Sequence, residues 1–177
     1  MKPVRIGIMI GSDSDLKQCI GGFEYLKMSA KDGRAQVPVV ITNSIHRNTD
    51  EVIGNLAEFT EDVDVWIIGA GMANHLTGTA DAILRYRMGE MRVPVIGVAF
   101  QGKTPEQTQA AIMSILQVPG TQVIFDDYVG HIGFYRACKR AIEGNFPAIK
   151  AVQDKPIKIR TLEDALETAK SLEKEVK

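Results

Sequence analysis

Three short segments of this sequence hold residue types that can do chemistry. The first, Gly11-Ser12-Asp13-Ser14-Asp15, sets hydroxyls and carboxylates beside a glycine just ahead of a helical pattern. The unpaired backbone N–H groups of a helix start, with the positive end of its dipole, favour an anion such as phosphate. The acidic side chains suit sugar hydroxyls, which both donate and accept hydrogen bonds. Ser and Asp at such a turn also serve simply as helix caps. The segment fits neither GxGxxG nor GxxxxGK(S/T), so neither a dinucleotide fingerprint nor a Walker loop is present there. The second segment, Thr42-Asn43-Ser44-Ile45-His46-Arg47-Asn48, offers an imidazole, whose unperturbed pKa near ~6.5 suits proton exchange, and a planar guanidinium fork for phosphate or carboxylate. The third, Gly69-Ala70-Gly71-Met72-Ala73-Asn74-His75-Leu76-Thr77-Gly78, is glycine-rich and permits close approach of backbone to a ligand. His75 can orient a ligand there or act as a structural hydrogen-bonder. It has no acidic or second His partner at three- or four-residue spacing, which argues against a metal site.

These segments need elements to bring them together. Val4 to Ile10 is a short apolar run bounded by the Gly11 turn, as expected of a strand buried on both faces in a parallel sheet. Comparable runs at Val37 to Thr42, Val63 to Ile68, Val93 to Ala99 and Gln122 to Phe125 give five candidate strands. Between them, Leu16, Cys19, Ile20, Phe23 and Leu26 share one helical face, and Val52, Ile53, Leu56 and Phe59 share another. Thr104, Pro105 and Gln107 form a capping-box start that leads to Ile112, Ile115 and Leu116. Alternating strands and helices predict right-handed crossovers and a three-layer α/β sandwich. Ligands of such sheets bind beyond the carboxyl ends of the strands, which selects the loops at Gly11, Asn43 and Gly69.

Tyr128 to Ile142 reads as a further helix, Asn145 to Arg160 as a connection, and Thr161 as the cap of a last helix. That helix carries Leu162, Ala165, Leu166, Ala169, Leu172 and Val176 on one stripe, suited to its own sheet or to a partner subunit. Residues 1–145 are taken as the catalytic α/β unit and 146–177 as a connection and helix of the same domain.

Composition agrees with one globular domain: 177 residues, 45% hydrophobic and 24% charged, can bury a substantial core. Lys and Arg number 21 against 22 acidic residues, so the net charge of −1 gives no long-range field for nucleic acid. Cys19 and Cys138 lie far apart in the sequence, without CxxC spacing, which fits a reducing cytoplasm. The five-residue apolar stretch Ile6 to Ile10 has no cleavage site behind it, and no run approaches the ~20 apolar residues of a membrane span. A cytoplasmic protein with no membrane partner is expected.

Taken in order, Gly-Ser-x-Ser-Asp, Ser-x-His-Arg and Gly-Ala-Gly-x-Ala-x-His-Leu-x-Gly resemble the family of N5-carboxyaminoimidazole ribonucleotide mutases and aminoimidazole ribonucleotide carboxylases of purine biosynthesis. Pro94 to Val98 and Ser114 to Gly120 are similar to the family's later motifs, and the likeness runs over roughly residues 4–142. The resemblance implies a flavodoxin-like three-layer αβα sandwich with a central parallel sheet, assembled as a homo-octamer and acting on an aminoimidazole ribonucleotide without metal or organic cofactor. It implies that Ser12, Ser14 and Asp15 beside Gly11 hold the ribose phosphate and hydroxyls, with Arg47 on the phosphate. Ser44 and His46 would face the imidazole base, with His46 as the general acid/base. Gly69, Ala70, Gly71, His75 and Leu76 would line the carboxylate or carbon dioxide pocket. The Gly69-Ala70-Gly71 turn is similar to the mutase branch rather than to the direct carboxylases.

Ile45, Met72, Asn74 and Thr77 stand where the family usually has Ala, Gly, Ala and Pro, and these departures are expected near the ligand. Tyr128 to Phe134 lacks the loop pattern that closes over the family's site, and Leu84 to Arg92 is longer and more charged than the family's. Two other readings stay open: a diverged paralogue that carboxylates or decarboxylates another phosphorylated heterocycle, and a non-enzymatic nucleotide-binding module. The presence of both Ser44 and His46 argues against the second.

Overall fold

Aliphatic and β-branched runs form a four-stranded, all-parallel sheet in the order β2-β1-β3-β4, from β1 (Val4–Ile10), β2 (Ala35–Thr42), β3 (Val65–Ala70) and β4 (Val95–Ala99). The description rests on a computed structural model that covers residues 2–153 and 155–175. Helices α1 (Ile20–Lys31) and α5 (Gly130–Glu143) cover one face, where Ile6, Ile8, Ile10, Val65 and Ile67 pack with Leu26 and Phe134. Helices α2 (Thr49–Phe59) and α3 (His75–Ala82) cover the other, where Met9, Trp66 and Ile68 meet Val52, Leu56 and Leu76. Helix α4 (Pro105–Leu116) sits beside β4, with Ala111 and Ile115 packed against Ala99. The result is the flavodoxin-like αβα sandwich, and side chains of β1 and β3 alternate between the two cores as the strand period of two requires.

Gly7 fixes the middle of this sheet. It pairs with Trp66 across the ladder, and a Cβ there would lie 2.6 Å from the indole ring, so only glycine lets the buried Trp66 lie across β1. The indole Nε1 in turn donates to the buried Thr60 hydroxyl at 3.1 Å. Strand β2 is one edge of the sheet, with Val40 48% exposed, and it tolerates Pro38 for that reason.

Several sequence expectations are corrected. The run at Gln122 to Phe125 is not a full strand: Ile124 makes an isolated bridge to Ile96, while the Gln122 N–H is drawn to Asp81 Oδ2 at 2.9 Å instead of a ladder. The first helix is broken, since Asp13–Gln18 is a 3₁₀ segment and α1 begins only at Ile20. Three residues per turn change the phase, so Ile20 faces outward at 58% exposure instead of joining Cys19 on the buried face. Strand β3 starts at Val65, because Asp64 pairs with Arg5 and Thr60–Asp62 is still helical, and it therefore takes in Gly69 and Ala70. The thiols of Cys19 and Cys138, far apart in sequence, are free and buried in one apolar cluster, where burial pushes the Cys19 thiol up to about 12.

Thr161 caps α6 (Leu162–Glu175) by accepting from the Asp164 N–H at 3.1 Å. Its Leu162, Leu166 and Leu172 are exposed, and Val176 lies outside the described residues. Among the described residues no helix is long and apolar enough to cross a membrane.

After α3 the chain widens into a π-helical turn, Ile83–Arg87, in which Arg85 is completely buried. Its guanidinium donates to Asp81 Oδ1 at 3.1 Å and to the Val93 carbonyl at 2.8 Å. Asp81 thereby ties α3 to both Arg85 and Gln122. Removing one partner of a buried pair strands the other charge. Asp81→Ala is expected to cost about 3–5 kcal/mol of stability in urea unfolding, and a cost below about 1 kcal/mol would mean that water solvates Arg85 instead.

Candidate active site

The loops after β1, β2 and β3 open at the same edge of the sheet because Ile10 pairs with both Thr42 and Gly69. They surround a cavity of about 370 Å³ lined by Gly11, Ser12, Asp15, Ser44, Ile45, His46, Arg47, Ala70, Gly71, Met72, Ala73, His75 and Leu76. The sequence-predicted residues thus converge, with two exceptions. Ser14 lies outside the wall, its hydroxyl 3.0 Å from that of Ser12, and Gly69 lies behind it, packed against Val98 and Phe100. Ile45 and Met72 line the cavity, as expected of departures from the family pattern near the ligand, and Ala73 lines it with no signal beyond its place in the same loop.

Each loop is held from below. In the first, Ser12 Oγ accepts from the Ser14 N–H at 3.3 Å and caps the 3₁₀ turn. Close approach of the first and third loops needs Gly11, where a Cβ would stand 2.7 Å from that of Ala70. In the second, the buried Asn43 receives the Asn48 amide at 3.0 Å, and the Thr49 hydroxyl donates to the Ile45 carbonyl at 2.6 Å. This bracket leaves Ser44 half-buried and His46 and Arg47 exposed.

In the third, Asn74 and Thr77 are fully buried. Asn74 Nδ2 donates to the Val98 carbonyl at 3.0 Å, and its Oδ1 caps α3 by accepting from the Thr77 N–H at 3.2 Å. The Thr77 hydroxyl lies 2.9 Å from both that oxygen and the Ile68 carbonyl, between which its one proton is shared. The expectation that Asn74 and Thr77 act near the ligand is therefore corrected. They point into the core and clasp the loop to β3 and β4, and of the four departures only Ile45 and Met72 reach the cavity.

The clasp delivers His75 to His46. His46 Nε2 lies 2.8 Å from His75 Nδ1, with the rings edge to face at 4.9 Å between centroids. One of these nitrogens must carry a proton and the other a lone pair, so the contact couples the tautomers of the two rings. No sequence spacing announces this pair, because the histidines stand 29 residues apart on separate loops. Among the described residues no group of three or more His, Cys, Asp or Glu stands close enough to hold a metal ion.

On the first loop of the same cavity, burial pushes the Asp15 carboxyl upward from its ordinary value, and the Gly71 N–H, donating to Oδ2 at 3.2 Å, partly offsets that rise. A cavity whose lining combines hydroxyls, a carboxylate, a guanidinium, paired imidazoles and apolar side chains can hold a phosphorylated sugar and exchange protons with what it carries.

The chain matches the family model described as AIR carboxylase over residues 5–126. It is similar in fold to the crystal structure of Treponema denticola PurE, with 18% identity over 79% of this chain and 87% of that one and a TM-score of 0.53. The signal receiver domain of the response regulator NarL from Mycobacterium tuberculosis is more distant, at 16% identity over 81% of this chain and 100% of that one, with a TM-score of 0.43. No curated protein matches the chain.

A raised carboxyl is a destabilising charge once it ionises. Below the unfolded value of about 3.9 both states are protonated and no penalty exists; it develops as pH rises through the raised folded value. Asp15→Asn keeps an oxygen for the Gly71 N–H and removes the charge. The ligand-free variant is expected to exceed the wild type in stability at about pH 7 and to lose that advantage on acidification. Urea unfolding at several pH values checks this, and a difference independent of pH would place its origin elsewhere.

Proposed function

The chain belongs to the AIR carboxylase family, and from that premise we propose that it is a purine-biosynthesis enzyme that moves a carboxylate from the exocyclic nitrogen to ring carbon C4 of an aminoimidazole ribonucleotide. The observation that carries this reading is the meeting of Ser12, Asp15, Ser44, His46, Arg47 and His75 around one cavity. Ser12 and Asp15 take the ribose side, Arg47 clamps the phosphate, and Ser44 and His46 face the base. Asp15, drawn toward its neutral form, is suited to hydroxyls, which accept from a carboxylic acid and donate to a carboxylate.

In the first step the carbamate C–N bond breaks and carbon dioxide leaves. The bonding pair returns to the nitrogen, which takes a proton from His46. In the second, electron-rich C4 adds to the retained carbon dioxide, and the C4 proton passes back to His46. Proton and carboxylate are conserved, and the aminoimidazole ring itself carries the intermediate charge. His75, bonded to His46, sets which His46 nitrogen presents the proton and lines the pocket in which carbon dioxide waits. Gly71 and Ala70, with small or absent side chains, leave room there.

Loss of a general acid/base lowers rate by ~10²–10⁴-fold, so His46→Asn is expected to lose turnover on that scale while nucleotide affinity stays within a few-fold. His75→Asn, which retains a hydrogen-bonding group, should keep more activity. Arg47→Ala should weaken a nucleotide far more than its nucleoside. Steady-state rates with binding measured separately test these roles, and near-normal turnover of His46→Asn would refute the mechanism.

The exposed leucines of α6 support a second part of the proposal: the chain is a homo-oligomer, an octamer in its family's manner, and α6 contributes to its contacts. Light scattering of the full chain and of a variant lacking residues 161–177 should give an oligomer and a smaller species respectively. A monomeric full chain would contradict the assembly, and an unchanged oligomer would remove α6 from the interface.

A further inference from the structure

Met72 is held where a methionine is disfavoured. Its φ of 54° lies in the left-handed region, and the other described non-glycine residue with positive φ is Asp127, whose short polar side chain tolerates it better. The fold gains little from the side chain in return: Met72 is 60% exposed and belongs to none of the three apolar clusters. The neighbouring anchors, Gly71 on Asp15 and Asn74 on Val98, hold the loop on either side of it without using the thioether. What the side chain does instead is line the cavity shared with His46 and His75. Strain kept at a cavity wall, with no packing to show for it, points to the ligand.

Resting on the function proposed above, we propose that Met72 is a specificity-determining residue whose thioether lies against the planar heterocyclic base. The polar groups Ser12, Asp15 and Arg47 suit the sugar and phosphate, which leaves the base to the remaining lining, Ser44, His46, His75 and Met72 among it. A flexible, polarisable thioether makes favourable contact with an aromatic face or edge and adapts to its outline. The site therefore discriminates between a ribonucleotide bearing an aromatic base and a phosphorylated ribose without one. A glycine in this place would relieve the backbone and forfeit that contact.

The test compares the full-length wild type with Met72→Gly and Met72→Leu. Calorimetry measures binding of 5-aminoimidazole ribonucleotide and of ribose 5-phosphate, and thermal unfolding is followed without ligand. Met72→Gly should melt at or above the wild type and bind the ribonucleotide roughly 2- to 10-fold more weakly, as the strength of a sulfur–aromatic contact implies. Its affinity for ribose 5-phosphate should not change, and Met72→Leu should fall between. A ligand-free melting point more than about 4 °C below the wild type would make Met72 a structural residue and overturn the inference. Unchanged affinity for the ribonucleotide, or equal weakening of both ligands, would also overturn it while leaving the proposed function standing. A wild type that binds neither ligand would overturn the proposed function and this inference together.

Discussion

Everything at the open edge of this molecule depends on how β1 pairs with its two neighbours. Ile10 is opposite both Thr42 and Gly69, so the second and third strands end level with the first and their loops emerge together. A slip of one residue in β3 would displace its loop by about 3.3 Å and turn every side chain to the opposite face. Ile67 and Ile68 would exchange cores, and Trp66 would lose the gap that Gly7 leaves for it. The register is thus enforced by apolar burial on both faces, and the cavity inherits its geometry from that enforcement.

A level edge brings the loops together, but it does not stiffen them. That task falls to hydrogen-bonded polar side chains: half-buried Ser12, which accepts from the Ser14 N–H, under the first loop, buried Asn43, which accepts from the Asn48 amide, under the second, and buried Asn74 and Thr77, bonded to backbone, under the third. An amide buried without partners would cost several kcal/mol, on the order of its transfer from water to cyclohexane, so the second and third loops lose their anchorage only by breaking bonds that nothing nearby can replace. The groups suited to chemistry, His46, Arg47 and His75, sit exposed above the anchors. Rigidity and reactivity are carried by different residues in the same segment.

This division explains what could be read from the sequence. Short β-branched runs reveal β1 to β4: burial on both faces leaves β1, β3 and β4 few alternatives, the edge strand β2 shows through its Val and Ile content alone, and the glycine turns after β1 and β3 mark the cavity. Gln122 to Phe125 read equally well as a strand, yet the acceptor that draws Gln122 away, Asp81, comes from a helix 41 residues earlier. Asn74 and Thr77 are expected in the ligand's surroundings because they depart from the family pattern within the motif that surrounds His75. Which way they face is decided by the cap they form on α3 and by the Val98 and Ile68 carbonyls, none of which a linear motif displays. The His46–His75 contact and the left-handed Met72 are likewise products of the tertiary arrangement alone.

Buried polarity and strain are found in more than one part of the chain, and their company distinguishes their purposes. Arg85 and Asp81 are both wholly buried, but every charge is met by a partner and the pair braces the π-turn, as a structural pair should. Asp15 and Met72 are different. One holds a carboxyl above its ordinary value, and the other a backbone that a side chain resists. The Gly71 N–H offsets only part of the first cost, and no apolar cluster takes up the Met72 side chain to offset the second. Both line the cavity that also holds the His46–His75 pair, whose facing nitrogens share a proton position. Costs that recur independently on two loops and meet at one place are better explained by what enters that place than by the stability of the fold around it.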